Sequence, residues 1–169
     1  MSGPAIDIIV DAPDWKRIAD LENLATRAVR ASCSASGAKL ARGGEVAITF
    51  CDDAAIRTLN AEWRKRDAAT NVLSFPTPGR PEEKLLLGDV VIAYETVARE
   101  ALEQGKKFED HTSHMIIHGF LHLIGYDHET PEEADVMEAL ERRIAMALGA
   151  SDPYEQETGE LSGSDVVEE

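Results

Sequence analysis

Cysteine is scarce in this chain: Cys33 and Cys51 are the only two among 169 residues, far apart and without CxxC spacing. That excludes a disulfide framework and a thiolate metal site, and it suits a reducing cytosol. Basic side chains are also in deficit. Lys and Arg number 17 against 32 Asp and Glu, for a formal charge of −15, which on its face argues against a nucleic-acid partner. No apolar run approaches the ~20 residues that span a bilayer. The opening Met-Ser-Gly-Pro-Ala-Ile-Asp lacks the basic-then-apolar pattern of a secretory signal. These absences together lead to the expectation of a cytoplasmic protein with no membrane partner, long enough to bury a substantial core without staples.

The acidic excess is unevenly placed. Asp152, Glu155, Glu157, Glu160, Asp165, Glu168 and Glu169 fall within 152–169, where there is no Lys or Arg. About half of the excess thus sits in one Gly/Ser/Glu-rich stretch with little to bury. The expected organisation is one folded domain over 1–150 and an acidic, disordered tail over 151–169. Within the domain, Arg57, Arg64, Lys65 and Arg66 form a local basic cluster, so the net charge leaves room for a localised basic groove.

Alternation predicts strands over 6–10, 45–50, about 70–76 and within 85–93. Asp11-Ala-Pro13-Asp14 predicts a helix start, with Trp15, Ile18, Leu21, Ala25 and Val29 on one face to about Ala31 and a loop over 32–44. Further helices are expected after Asp52-Asp53, over 94–104, over 108–124 and from the Thr130-Pro-Glu-Glu133 capping box to Gly149. The helix over 108–124 is apolar almost all round from Met115, so it should be central and buried. The fold class is α/β (α+β): a small mixed four-stranded sheet with one antiparallel strand, packed with about five helices. A crossover between the first two strands makes them parallel, and the third strand is the antiparallel edge.

The chemistry concentrates in His118-Gly-Phe-Leu-His122-Leu-Ile-Gly125-Tyr-Asp-His128. Histidines four apart project from one helix face, and both imidazoles can reach a zinc ion about 2 Å away. Gly125 can take the left-handed conformation that ends a helix, so His128 returns from the opposite side. Three protein ligands with a fourth position for water is the arrangement of a catalytic zinc. The spacing coincides with the zincin pattern H-E-x-x-H-x-x-G-x-x-H, which makes this a zincin-like metal helix with one departure: Gly119 stands where the general-base glutamate would be. Peptide hydrolysis then lacks its usual base. Gly119 either leaves room beside the metal for a bulky substrate or serves close helix packing.

A second stretch, running from Leu59 through Trp63-Arg64-Lys65-Arg66 to Thr70-Asn71-Val-Leu-Ser74-Phe-Pro76, adds a clue. The arginine fork suits phosphate oxygens, although a lone helix-end arginine is also an ordinary solvated residue. Together with Gly88-Asp89-Val-Val-Ile92, these blocks resemble the YbeY family of single-strand-directed endoribonucleases and rRNA maturation factors. The match covers most of residues 45–128. The resemblance implies zinc as cofactor, one ion per chain, with His118, His122 and His128 as ligands and Arg64 as the functional arginine. The domain over 1–150 would then be a metal-dependent hydrolase with Arg64 and His118 as its catalytic candidates. It also implies action on the 3′ end of 16S rRNA and in ribosome quality control, with single-stranded rRNA, small ribosomal subunit proteins and assembly factors as partners. Trp63 departs from the tyrosine common there.

The remaining candidates carry two readings each. Ser74 faces the cleft or sits solvent-exposed on an edge strand. Asp127 orients a ligand from behind or lies exposed in the turn. His114, four before His118, is an auxiliary group or a buried, hydrogen-bonded histidine, and His111 is expected at the surface. Lys65 and Arg66 are candidates for RNA contact. The competing functions are a non-catalytic, zinc-containing ribosome-assembly factor and, less well supported, a zincin-like metallopeptidase.

Overall fold

The computed structural model describes residues 3–155. Four strands make one sheet: β1 (Ala5–Val10), β2 (Glu45–Cys51), β3 (Val72–Pro76) and β4 (Leu86–Ala93). They lie in the order β1-β2-β4-β3, with β1, β2 and β4 parallel and β3 antiparallel at the edge. The parallel crossover and the antiparallel edge are those expected. One row across the sheet runs Ile8, Ile48, Val90, Ser74, so three β-branched side chains and one serine share the face that meets the main helix layer.

The helices are α1 (Leu21–Ser36), α2 (Asp53–Arg64), α3 (Tyr94–Gln104), α4 (Phe108–Leu123) and α5 (Pro131–Ala147). Helix α4 is the centre: every residue in it except Glu109, Asp110 and His122 is buried. It lies on β3 and β4, with α1, α3 and α5 against it. The other sheet face carries a smaller cluster of Cys51, Leu73, Val91 and Ala93 under Ile56 of α2. Successive strand residues point to opposite faces, so Val90 and Val91 feed the two cores separately.

The first helix differs from its expected course. Pro13–Arg17 is a 3-10 turn, Ile18 is extended, and α1 starts only at Leu21 under an Asp20 cap that accepts from the Asn23 amide at 3.1 Å. The break has a tertiary cause. Trp15 is buried against Phe50, Tyr94 and Phe108, and its Nε1 donates to the Cys51 carbonyl at 2.9 Å. Helix α1 then runs past the expected loop start to Ser36; Ser32, inside it, donates its hydroxyl to the Ala28 carbonyl at 2.8 Å. At α5 the Thr130 hydroxyl accepts from the Glu133 amide, but the Glu133 carboxylate reaches the Glu129 amide instead of closing the box on Thr130. Residues 151–155 pack on the domain with Pro153 buried; 156–169, the rest of the expected acidic tail, lie outside the described residues.

Candidate metal centre

The end of α4 brings the three histidines together. Gly125 takes φ 109°, and the Tyr126 amide donates back to the Leu121 carbonyl at 3.0 Å, closing the helix and reversing the chain. The Asp127 carboxylate accepts from the His128 amide at 2.8 Å and shapes the return. Ring centroids of His118, His122 and His128 then lie 4.7 to 5.5 Å apart, with one nitrogen of each within 4.8 Å of the others.

Proton placement decides what this group is for. His122 Nδ1 lies 2.9 Å from the Tyr126 carbonyl, which can only accept, so Nδ1 carries the hydrogen. His118 Nδ1 lies 2.6 Å from a Glu141 carboxylate oxygen and likewise donates. In the neutral rings the two Nε2 atoms are then lone pairs, and they face each other at 3.2 Å. His128 Nε2 is buried with no partner among the described residues. Burial, with the neighbouring charges of His118 and His128, pushes His122 down to about 4, so near neutral pH no proton on His122 bridges that gap. Converging lone pairs in a buried place are costly unless a cation sits among them. The donor set therefore fits a metal ion, and the neutral imidazoles are the form that binds one.

Glu141 is the residue that sequence reasoning missed. It is 0% exposed and takes His118 Nδ1 on one oxygen and His114 Nε2, at 2.9 Å, on the other. Burial pushes its carboxyl up, but the His118 and His114 rings outweigh that and hold it well below the usual carboxylate range. A carboxylate behind a ligating histidine fixes its tautomer and ring orientation. The signal was present: Met137, Leu140 and Ile144 make the apolar stripe of α5, and Glu141 stands inside it.

The other expected residues fall as follows. Arg64, at the end of α2, donates from Nη2 to the Ser74 carbonyl at 2.6 Å, and its guanidinium lies 5.0 Å from the Phe75 ring centroid. It lines the same cleft as the three histidines, a space of about 460 Å³. Ser74 turns toward α4, where its hydroxyl donates to the Gly119 carbonyl at 2.9 Å, and it too lines the cleft. At Gly119 the packing reading prevails: a Cβ there would come 2.6 Å from Val90 Cγ1 and 3.2 Å from Val72 Cγ2. Lys65 and Arg66 are exposed in the turn after α2, with Lys65 at φ 61°. Arg57, the fourth member of the basic cluster, is paired with Asp67. His114 is buried and bonded through Glu141, and is not grouped with His122 and His128. His111 corrects the surface expectation: it is 3% exposed and bonded to Glu100 at 2.8 Å, because α4 is covered on that side by α3.

The fold and the site define an α/β protein whose histidine group could hold a metal ion in a cleft beside an arginine. Residues 10–149 match the family described as Endoribonuclease YbeY. The Endoribonuclease YbeY of Methylocella silvestris is 53% identical over 90% of this chain and 87% of its own. That of Rhodopseudomonas palustris strain BisA53 is 47% identical over 89% and 90%. Among solved structures, TM1509 of Thermotoga maritima superposes with a TM-score of 0.55 at 26% identity, covering 88% of this chain and 97% of that one. The chain belongs to the YbeY endoribonuclease family. No helix among its described residues is long and apolar enough to cross a membrane.

Proposed function

We propose that this chain is a zinc-dependent endoribonuclease specific for single-stranded RNA, acting in the cytoplasm on the 3′ end of 16S rRNA and in ribosome quality control, alongside small-subunit proteins and assembly factors. The observation that carries this reading is the convergence of three histidine nitrogens, two of them 3.2 Å apart, in one cleft with Arg64. His118, His122 and His128 would hold the ion. When bound, it supplies a Lewis acid for a phosphoryl oxygen and acidifies a water or hydroxyl nucleophile.

The chain's own residues do the rest. Glu141 and the Tyr126 carbonyl fix the two Nδ1 hydrogens, so His118 and His122 present the correct nitrogens without a tautomer change. Arg64 is held by the Ser74 carbonyl and the Phe75 ring, while its Nε–H is buried without a partner among the described residues. That leaves donors for a phosphate, whose charge grows during cleavage. Lys65 and Arg66, exposed beside it, attract the RNA backbone in a salt-dependent way. No carboxylate occupies the position of the zincin base, and a side chain at 119 would meet the sheet, which disfavours a peptidase.

Arg64 supplies the test. In single-turnover cleavage of one labelled RNA, Arg64→Ala should lose ~10²–10³ in rate with zinc content unchanged. Arg64→Lys should recover only part, because a point charge does not reproduce the fork. The same sequence held in a duplex should be cut poorly by every variant. Wild-type rates in Arg64→Ala, or equal cutting of the duplex, would overturn the reading.

A further inference from the structure

We infer that Tyr154 is a positioning residue for the histidine centre: its hydroxyl, brought in by the C-terminal segment 151–155, fixes the buried Glu141 that orients His118. This rests on the reading that the histidines hold a metal ion. The family match ends at residue 149, five residues short of Tyr154.

A fully buried carboxylate is tolerated only where donors satisfy it. Glu141 Oε2 takes His118 Nδ1; Oε1 takes both His114 Nε2 and the Tyr154 hydroxyl, which donates to it. His114 approaches from α4. Tyr154 approaches from the segment after α5, so the carboxylate plane is held from two elements. The Tyr154 ring also closes over the network, with its centroid 5.3 Å from that of His114 at 80°. Without the hydroxyl, Oε1 would keep a single donor, and the oxygen facing His118 would lose its fixed aim.

Lys106 and Arg142 dock the segment on the domain. The Lys106 ammonium donates to the Pro153 carbonyl, and Pro153 itself is buried. The Asp152 carboxylate accepts from the Tyr154 amide at 2.8 Å and from Arg142 at 3.3 Å. The Arg142 guanidinium lies 5.2 Å from the centroid of the Tyr154 ring. Docking of the 151–155 segment is thereby coupled to the geometry of His118, and anything that lifts the segment should loosen the ion.

The test measures metal binding, without RNA, on the full chain. Tyr154→Phe keeps the ring against His114 and removes only the hydroxyl. It should weaken Zn²⁺ binding about tenfold in competition with a chromophoric chelator, the low end of the loss that partners of metal ligands produce. The visible absorption of the Co²⁺-loaded chain should shift, and the melting temperature of the metal-free chain should fall by no more than the few degrees that one lost donor to a buried carboxylate costs. Truncation after Glu155 should leave zinc affinity intact, and truncation after Asp152 should weaken it at least as much as Tyr154→Phe. Wild-type affinity and an unchanged cobalt spectrum in Tyr154→Phe would reduce the residue to packing and overturn the inference alone. A full-length chain that binds neither ion would overturn the metal reading and this inference with it.

Discussion

Replacing Gly119 by alanine perturbs a close contact between α4 and the sheet. The added methyl would come 2.6 Å from Val90 Cγ1 and 3.2 Å from both Val72 Cγ2 and Ser74 Oγ. Val90 is a β-branched residue, fully buried on a strand paired on both sides, and has little χ1 freedom to offer. Relief must come from moving the helix. Overpacking of this kind costs ~1–3 kcal/mol, while alanine in a helix interior returns ~1 kcal/mol over glycine. A net loss of up to about 2 kcal/mol follows, or at most roughly 4–8 °C in melting temperature for a domain of this size. The site should feel the shift, because the Gly119 carbonyl holds the Ser74 hydroxyl and the Ser74 carbonyl holds Arg64. Thermal melts in a double-mutant cycle with Val90→Ala provide the assay. The two changes together should cost less than their sum by about 1 kcal/mol, since truncating Val90 vacates the space the methyl needs. A Gly119→Ala protein melting at or above wild type, with an additive cycle, would refute the packing argument.

Two further outcomes follow from the centre. Glu141→Gln should weaken zinc binding about 10–100-fold, since an amide cannot receive His118, His114 and Tyr154 together; unchanged affinity in a chelator competition would detach Glu141 from the site. The metal-free chain should lose stability as pH falls from about 6.5 toward 4, because His122 is held down to about 4 when folded and the unfolded chain takes up its proton first. The loss is on the order of 2–3 kcal/mol, and melts of chelator-treated protein that do not change between pH 7 and pH 4.5 would contradict it.

The histidine centre was legible because its information is local. An i,i+4 pair and a glycine at the bend lie within 11 residues, and helix geometry converts that spacing into a direction. The parallel first pair and the antiparallel edge strand were legible for a similar reason, since crossovers and proline-stopped edges are constrained by chirality and missing donors. What the spacing could not supply was the partner across space. Glu141 sits 23 residues from His118 on another helix, and only its place inside an apolar stripe betrays it. His111 looked like a surface residue beside Glu109 and Asp110; Glu100 on α3 makes its burial affordable. For Ser74, alternation left the cleft and the solvent both open, and the Gly119 carbonyl on α4 is what draws the hydroxyl inward. The early helix was misjudged because periodicity continues through Trp15 and Ile18, while the Trp15 bond to Cys51, a contact across the sheet end, breaks the backbone.

The central claim is that one ion held by His118, His122 and His128 is required for RNA cleavage. Its most direct test is a stoichiometric titration. Zinc is returned in fractions of an equivalent to the metal-stripped chain, and single-turnover cleavage of one labelled single-stranded RNA is followed at each step. The rate should rise linearly and break at one equivalent per chain, with no rise in His122→Ala. Full cleavage by the stripped chain, or a rise that His122→Ala shares, would contradict the account.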